Sequence, residues 1–168
     1  MRAGILRLVV LVAVLAAGCY STKLDRTELT PKGPTAEELF IAKSSAINGR
    51  APTFGEKRRW EAEVEERVYK YLREHPELEQ TTRYSEFRFW WQVTNGSTPD
   101  EVRVLLEEPG EQTIDPVQMA ALAGPQWNEI QTKTIKEAWF YPPAWVLYFD
   151  DASVVAIVHK VSSMAPSQ

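Results

Sequence analysis

Asn95-Gly96-Ser97-Thr98-Pro99-Asp100-Glu101-Val102-Arg103-Val104-Leu105-Leu106 declares both ends of a short helix and sets the frame for the elements on either side. Asn-Gly turns the chain, Thr98 suits the N-cap, and Pro99 takes the first helical position, where an amide would be unpaired anyway. Asp100 and Glu101 place negative charge at the positive end of the helix dipole. Val102, Leu105 and Leu106 form an apolar stripe at i, i+3, i+4, and Pro109-Gly110 closes the segment.

Upstream, residues 84–93 change to period two. Phe87, Phe89, Trp91 and Val93 share one face, and Glu86, Arg88, Trp90 and Gln92 the other, which predicts a half-buried strand. Trp90 is the odd member of the polar face: it either packs under a loop or stands out as an aromatic anchor for a partner. Earlier still, Thr53-Phe54-Gly55-Glu56 is a capping-box arrangement. Trp60, Val64, Val68 and Leu72 then recur every four residues, with Tyr71 beside them. Glu61, Glu65, Glu66, Arg67 and Lys70 give the outer face of a solvated amphipathic helix, which Pro76 ends.

Downstream, Asp115-Pro116 caps a second small helix through Ala123, stopped by Gly124-Pro125. Strand grammar follows in residues 138–141, 145–149 and 154–161, separated by Pro142-Pro143 and by the turn at residues 150–153, so the end of the chain reads as an antiparallel meander. Trp60, Trp91, Trp139 and Trp145 read as core. Trp127 and Tyr141, beside Pro-rich turns, could line a groove, and together with Trp90 they are the candidate partner-binding residues. The expected fold class is α+β, with two helices packed on a three- to four-stranded antiparallel sheet over residues 53–162 and a disordered tail at 163–168.

The amino terminus carries a different message. Arg2 and Arg7 precede an apolar run at residues 8–17, and Leu15-Ala16-Ala17-Gly18-Cys19 ends it with small residues before the chain's one cysteine. The order is that of a secretory signal ending in a lipobox. A run of this length falls short of the roughly 20 apolar residues a spanning helix needs. The expectation is a signal peptide over residues 1–18, cleavage between Gly18 and Cys19, and a diacylglycerol and N-acyl lipid on Cys19 that anchors the chain to a membrane. An ordinary cleaved signal, leaving a free thiol, is the competing reading. Residues 19–52, rich in Thr, Ser, Pro, Gly and Lys, read as a flexible tether. Within it Thr35 and Glu38 form a possible capping box and Asn48-Gly49 a stop, so this stretch holds either a short helix, a segment that orders on a partner, or mobile chain.

Composition limits the function. The chain of 168 residues carries a formal net charge of −4, and loss of Arg2 and Arg7 on cleavage makes it two units more negative, which disfavours nucleic acid or anionic lipid as a partner. A single cysteine offers neither an intrachain disulfide nor a cysteine-based zinc site. His75 and His159 sit in no nucleophile or metal motif, so no metal, cofactor or catalytic residue is assigned. The acidic pairs Glu65-Glu66, Glu107-Glu108 and Asp150-Asp151 read as solvated faces and turns, with acid–base chemistry as the competing role.

Gly96-Ser97-Thr98-Pro99-Asp100-Glu101-Val102 with Leu105-Leu106 and Pro109, then Trp139-Phe140-Tyr141 and Val146-Leu147-Tyr148-Phe149-Asp150-Asp151, resembles the conserved stretches of the SmpA/OmlA type of small bacterial lipoprotein. The resemblance implies a lipidated signal, a mobile tether, and a helix pair on a three-stranded antiparallel sheet. It also implies a place in the outer membrane facing the periplasm, with the β-barrel assembly machine as partner. Tyr20 after the lipidated cysteine agrees, by the same kind of resemblance, with release to the outer membrane. The expected function is a non-catalytic protein–protein interaction module in the cell envelope. The alternatives are an envelope-anchored inhibitor or ligand-binding domain, and a hydrolase with an unrecognised carboxylate site.

Overall fold

The computed structural model of the chain describes residues 26–161, so the signal, Gly18, Cys19 and the tail at 163–168 lie outside the described residues. The fold is α+β with antiparallel strand pairing. The meander read from the sequence is its centre: β5 (Glu137–Tyr141), β6 (Trp145–Phe149) and β7 (Val154–Val161), paired through Trp139↔Leu147 and Leu147↔Ile157. The sheet has five strands, because β4 (Glu111–Thr113) adds beside β5 and β1 (Arg26–Leu29) beside β7. A separate pair joins β2 (Lys32–Thr35) to β3 (Gln92–Thr94).

Every residue of β6 is buried, so Trp-Val-Leu-Tyr-Phe is apolar on both faces, as a strand covered on both sides must be. Trp145, Leu147 and Phe149 join Trp139, Tyr141 and Ile157 under α1 (Ala36–Asn48), α2 (Phe54–Glu74) and α4 (Pro99–Leu106). Val146 and Tyr148 face the other way, with Ala138, Ala156 and Val158, under α5 (Pro116–Ala123) and α6 (Trp127–Ile130). The expectation of two helices on a three- to four-stranded sheet is thus corrected upward in both counts. Met119, Ala123 and Ile130 cover the second face, which would otherwise leave an apolar sheet surface in water.

Helices α2 and α4 form where their caps place them. Thr53 and Glu56 close a full capping box, with the Glu56 carboxylate accepting from the Thr53 amide at 2.6 Å, and Val64 and Val68 are fully buried. Thr98 accepts from the Glu101 amide at 3.2 Å, and the Glu101 side chain accepts from the Thr98 amide at 3.1 Å.

Residues 84–93 differ from the expected strand: α3 (Tyr84–Phe89) is a helix, and pairing begins only at Gln92. The four alternating residues that fall inside α3, Glu86 to Phe89, are too few to separate period two from a turn of helix. As a helix the segment sends Phe87 into the core, 5.5 Å from the Tyr71 ring, and leaves Phe89 outside.

The stretch expected as tether is also largely ordered from residue 26. Thr35 caps α1 by accepting from the Glu38 amide at 3.1 Å, and Gly49 ends it at φ 65°, a conformation that glycine adopts without steric cost. Trp145 Nε1 donates to Glu38 at 2.9 Å, tying α1 to the sheet. Backbone pairing, Lys32↔Thr94 and Thr35↔Gln92, is what holds β2, and main-chain hydrogen bonds leave no signature in a polar composition.

Tyr148 gives this packing a pH signature. Its hydroxyl donates to the Met119 carbonyl at 2.9 Å beneath α5, and burial pushes the phenol well above its ordinary range; burial does the same to Tyr141. Above pH 10 the unfolded chain releases these protons and the folded one keeps them, so stability falls as pH rises, by about 1.4 kcal/mol per pH unit for each tyrosine. Urea titrations at pH 9 and 11 are expected to show this loss, with a shallower pH slope in Tyr148→Phe.

Candidate interaction site

At the end of α3 the chain takes one step through the left-handed region, with Trp91 at φ 47°. A bulky residue there is a genuine outlier, worth about 1–3 kcal/mol of strain, and such strain concentrates where a surface is shaped for a task. The step separates two adjacent indoles. Trp91 turns inward, edge-on to Trp60 at 5.8 Å, and its carbonyl accepts from the first amide of α1 at 2.9 Å. Trp90 turns outward and is 70% exposed.

Trp90 does not stand alone. Phe89 beside it is 64% exposed, and Tyr69, on the outer face of α2, is 47% exposed. The Arg88 guanidinium lies 3.9 Å over the Tyr69 ring and 5.3 Å from that of Phe89, while Tyr84 meets Phe89 edge-on at 6.1 Å. The result is a surface patch in which Arg88 braces the Tyr69 and Phe89 rings and Tyr84 meets Phe89, with the exposed Trp90 next to Phe89 in the chain. Rings held by cation–π and edge contacts lose little freedom on docking, and Trp, Tyr and Arg are the side chains that carry most interface energy.

Comparison with known protein families, characterised proteins and solved structures finds no match. The site therefore stands on its own geometry.

The other two candidate partner residues lie elsewhere. Tyr141 is buried against the first face, its hydroxyl donating to the Glu107 carbonyl at 3.0 Å, and only its ring reaches a groove beside Pro142 and Pro143. Trp127 packs on Tyr148 across the second face, centroids 6.3 Å apart. Of the three, Trp90 alone is largely exposed, because Tyr141 and Trp127 spend their rings on covering the two faces of β6.

Tyr69, Arg88 and Phe89 escaped the sequence reading. Tyr69 sits among charged residues on the polar face of α2, and the period-two reading puts Phe89 on a buried strand face. An aromatic on the wrong face of a helical wheel was the available signal. His159 stacks on Trp145 at 4.1 Å, and His75 meets Glu77 at 3.1 Å. Asp150 caps its turn by accepting from the Ala152 and Ser153 amides at 2.8 and 2.7 Å, and these bonds lower its pKa. Glu107 is paired with Arg67 and Lys43, and Glu108 with Arg103. Among the described residues no three His, Cys, Asp or Glu gather to hold a metal ion, and no helix is long and apolar enough to cross a membrane.

Proposed function

We propose that this chain is a lipid-anchored protein of the bacterial cell envelope that works as a non-catalytic binding module, docking another envelope protein on the Trp90 patch. The observation that carries the reading is the pairing of a strained junction with an exposed indole: Trp91 at φ 47° supports the inward ring while Trp90 is left 70% exposed beside Phe89. Left in water, such rings are a standing liability, and burial under a partner turns each into up to a few kcal/mol of affinity. A lipid on Cys19 would raise the effective concentration of the partner by confining both to one surface, so a modest patch suffices. The resemblance to SmpA/OmlA lipoproteins supports the outer membrane as its place and the β-barrel assembly machine as its partner.

The test is a crosslinking pull-down of the native protein from its own envelope, with Trp90→Ala and Cys19→Ala beside the wild type. Recovery of the barrel-assembly machine by the wild type is expected, reduced about tenfold or more by Trp90→Ala, whose folding stability should stay within about 0.5 kcal/mol of wild type. Cys19→Ala is expected to lower recovery by removing the tether. Equal recovery by wild type and Trp90→Ala would remove the patch from the interface. Enrichment of a different envelope protein would favour an inhibitor or another adaptor.

A further inference from the structure

Trp91 is held in a costly state on two counts. Its φ of 47° lies in a region that a bulky residue avoids, and its indole Nε1 is buried with no hydrogen-bond partner. A residue free to relax would shed both costs by leaving the left-handed region and turning its N–H to water. Its contacts show what holds it, and they lead to α1. The Trp91 carbonyl accepts from the Ala36 amide, the first of that helix, at 2.9 Å. The Trp91 ring stands edge-on to Trp60, and Trp60 in turn lies flat on Phe40 of α1, 4.5 Å away with the planes 8° apart. Thr35, which caps α1, pairs with Gln92, the residue after Trp91.

Helix α1 is itself thinly seated. Of its thirteen residues only Ala36 is buried, while Ile41 and Ile47 are exposed. A cavity of about 260 Å³ lies on its side toward α2, and another space of about 330 Å³ on its side toward the β5–β6 turn. Glu38 is tied to Trp145, but the ion pairs Lys43–Glu107 and Glu37–Lys57 lie at the surface, where such pairs add little. An element with so few buried apolar side chains opens locally ahead of the rest of the fold.

We propose that α1 is a latch for the Trp90 patch. Seated, it holds Trp91 in the left-handed region, and Trp90 stands outward while Arg88 and Phe89 lie beside Tyr69. Released, it lets Trp91 relax. Rotation about that one φ turns α3 and Trp90 against β3, and because the patch is shared between α3 and α2, it carries Arg88 and Phe89 away from Tyr69. The left-handed step and the unpaired indole N–H favour release, the α1 contacts favour seating, and a ligand that distinguishes the two states shifts the balance. The latch rests on the reading of the patch as a docking surface. By linkage, a partner that binds the assembled patch tightens α1, and whatever draws α1 away weakens the partner by the same factor.

The experiment compares the full chain with its Ala36→Pro variant by amide hydrogen exchange and by fluorine NMR of 5-fluorotryptophan-labelled protein. Ala36→Pro deletes the amide that Trp91 accepts while suiting the helix: Ala36 is the first helical position, where proline is favoured, and Thr35 before it is extended at ψ 153°, as a residue before proline prefers. Amides of residues 40–48 are expected to exchange about tenfold faster, as for the loss of one backbone hydrogen bond. The Trp90 resonance, assigned by its absence in Trp90→Phe, is expected to shift although Ala36 lies outside the patch. Phe40→Ala, which removes the ring stacked on Trp60, is expected to do both. An α1 that exchanges no faster, or a Trp90 resonance that stays in place while α1 exchanges faster, would overturn the proposal. Should Ala36→Pro fail to fold by circular dichroism, Phe40→Ala decides on the same two readings. Neither reading involves a partner, so failure here is distinct from failure of docking, which Trp90→Ala tests in the envelope pull-down.

Discussion

Arg83→Met is expected to lower folding stability by about 3–5 kcal/mol, the loss that follows when one partner of a buried ion pair is removed. Glu101 is 1% exposed, and its carboxylate accepts from Arg83 Nε at 3.1 Å, Arg83 Nη2 at 2.8 Å and the Thr98 amide at 3.1 Å. Methionine keeps the apolar stem of the arginine and removes the guanidinium with both charged donors, leaving a buried carboxylate with one amide. The Arg83 side chain is 26% exposed, so water that reaches the vacated place places the result in the lower half of that range. Glu101→Gln keeps a carbonyl oxygen for the Thr98 amide and removes the charge. The double variant Arg83→Met/Glu101→Gln should therefore be more stable than Arg83→Met alone. Urea denaturation of the four proteins gives the coupling directly, and a double variant less stable than either single one would contradict this account.

The same carboxylate marks how far the sequence could be read. Thr98-Pro99-Asp100-Glu101 announced a helix start, and the helix is there, but Glu101 was legible only as first-turn charge. Its pairing with Arg83, eighteen residues away, is tertiary and leaves no local pattern. Residues 53–74 and 137–161 were legible because long periodic segments over-determine their type. Residues 84–89 were not, since four alternating residues fit a strand and a short helix equally, and the choice fell to Phe87 finding Tyr71. Residues 26–35 were missed because two strands held by backbone bonds ask little of their side chains. Trp90 stood out as an aromatic among charges and is exposed; its companions Tyr69 and Arg88 meet only when α2 and α3 come together. Lys43, Arg67 and Glu107 come from three separate helical segments, and no spacing rule joins them.

Trp139→Ala is the second large effect, expected at about 3–5 kcal/mol, as for a fully buried aromatic truncated in a core that cannot collapse around the gap. The indole is 1% exposed, packed 4.4 Å from the Phe149 ring, covered by the Arg103 guanidinium at 4.4 Å, and bonded through Nε1 to Glu137 at 2.8 Å. Its neighbours belong to a rigid antiparallel ladder, Trp139↔Leu147↔Ile157, whose strands cannot close in without breaking register, so most of the vacated volume persists. Trp139→Phe keeps the ring contact and loses the Glu137 bond, and its expected cost is the smaller ~1–2 kcal/mol. Trp90→Ala, the same chemical change on the surface, should cost no more than about 0.5 kcal/mol. Denaturation midpoints of the three variants thus separate an indole that builds the protein from one that the fold leaves in water. If Trp139→Ala and Trp90→Ala cost the same, the division of labour between the first sheet face and the exposed patch would be wrong.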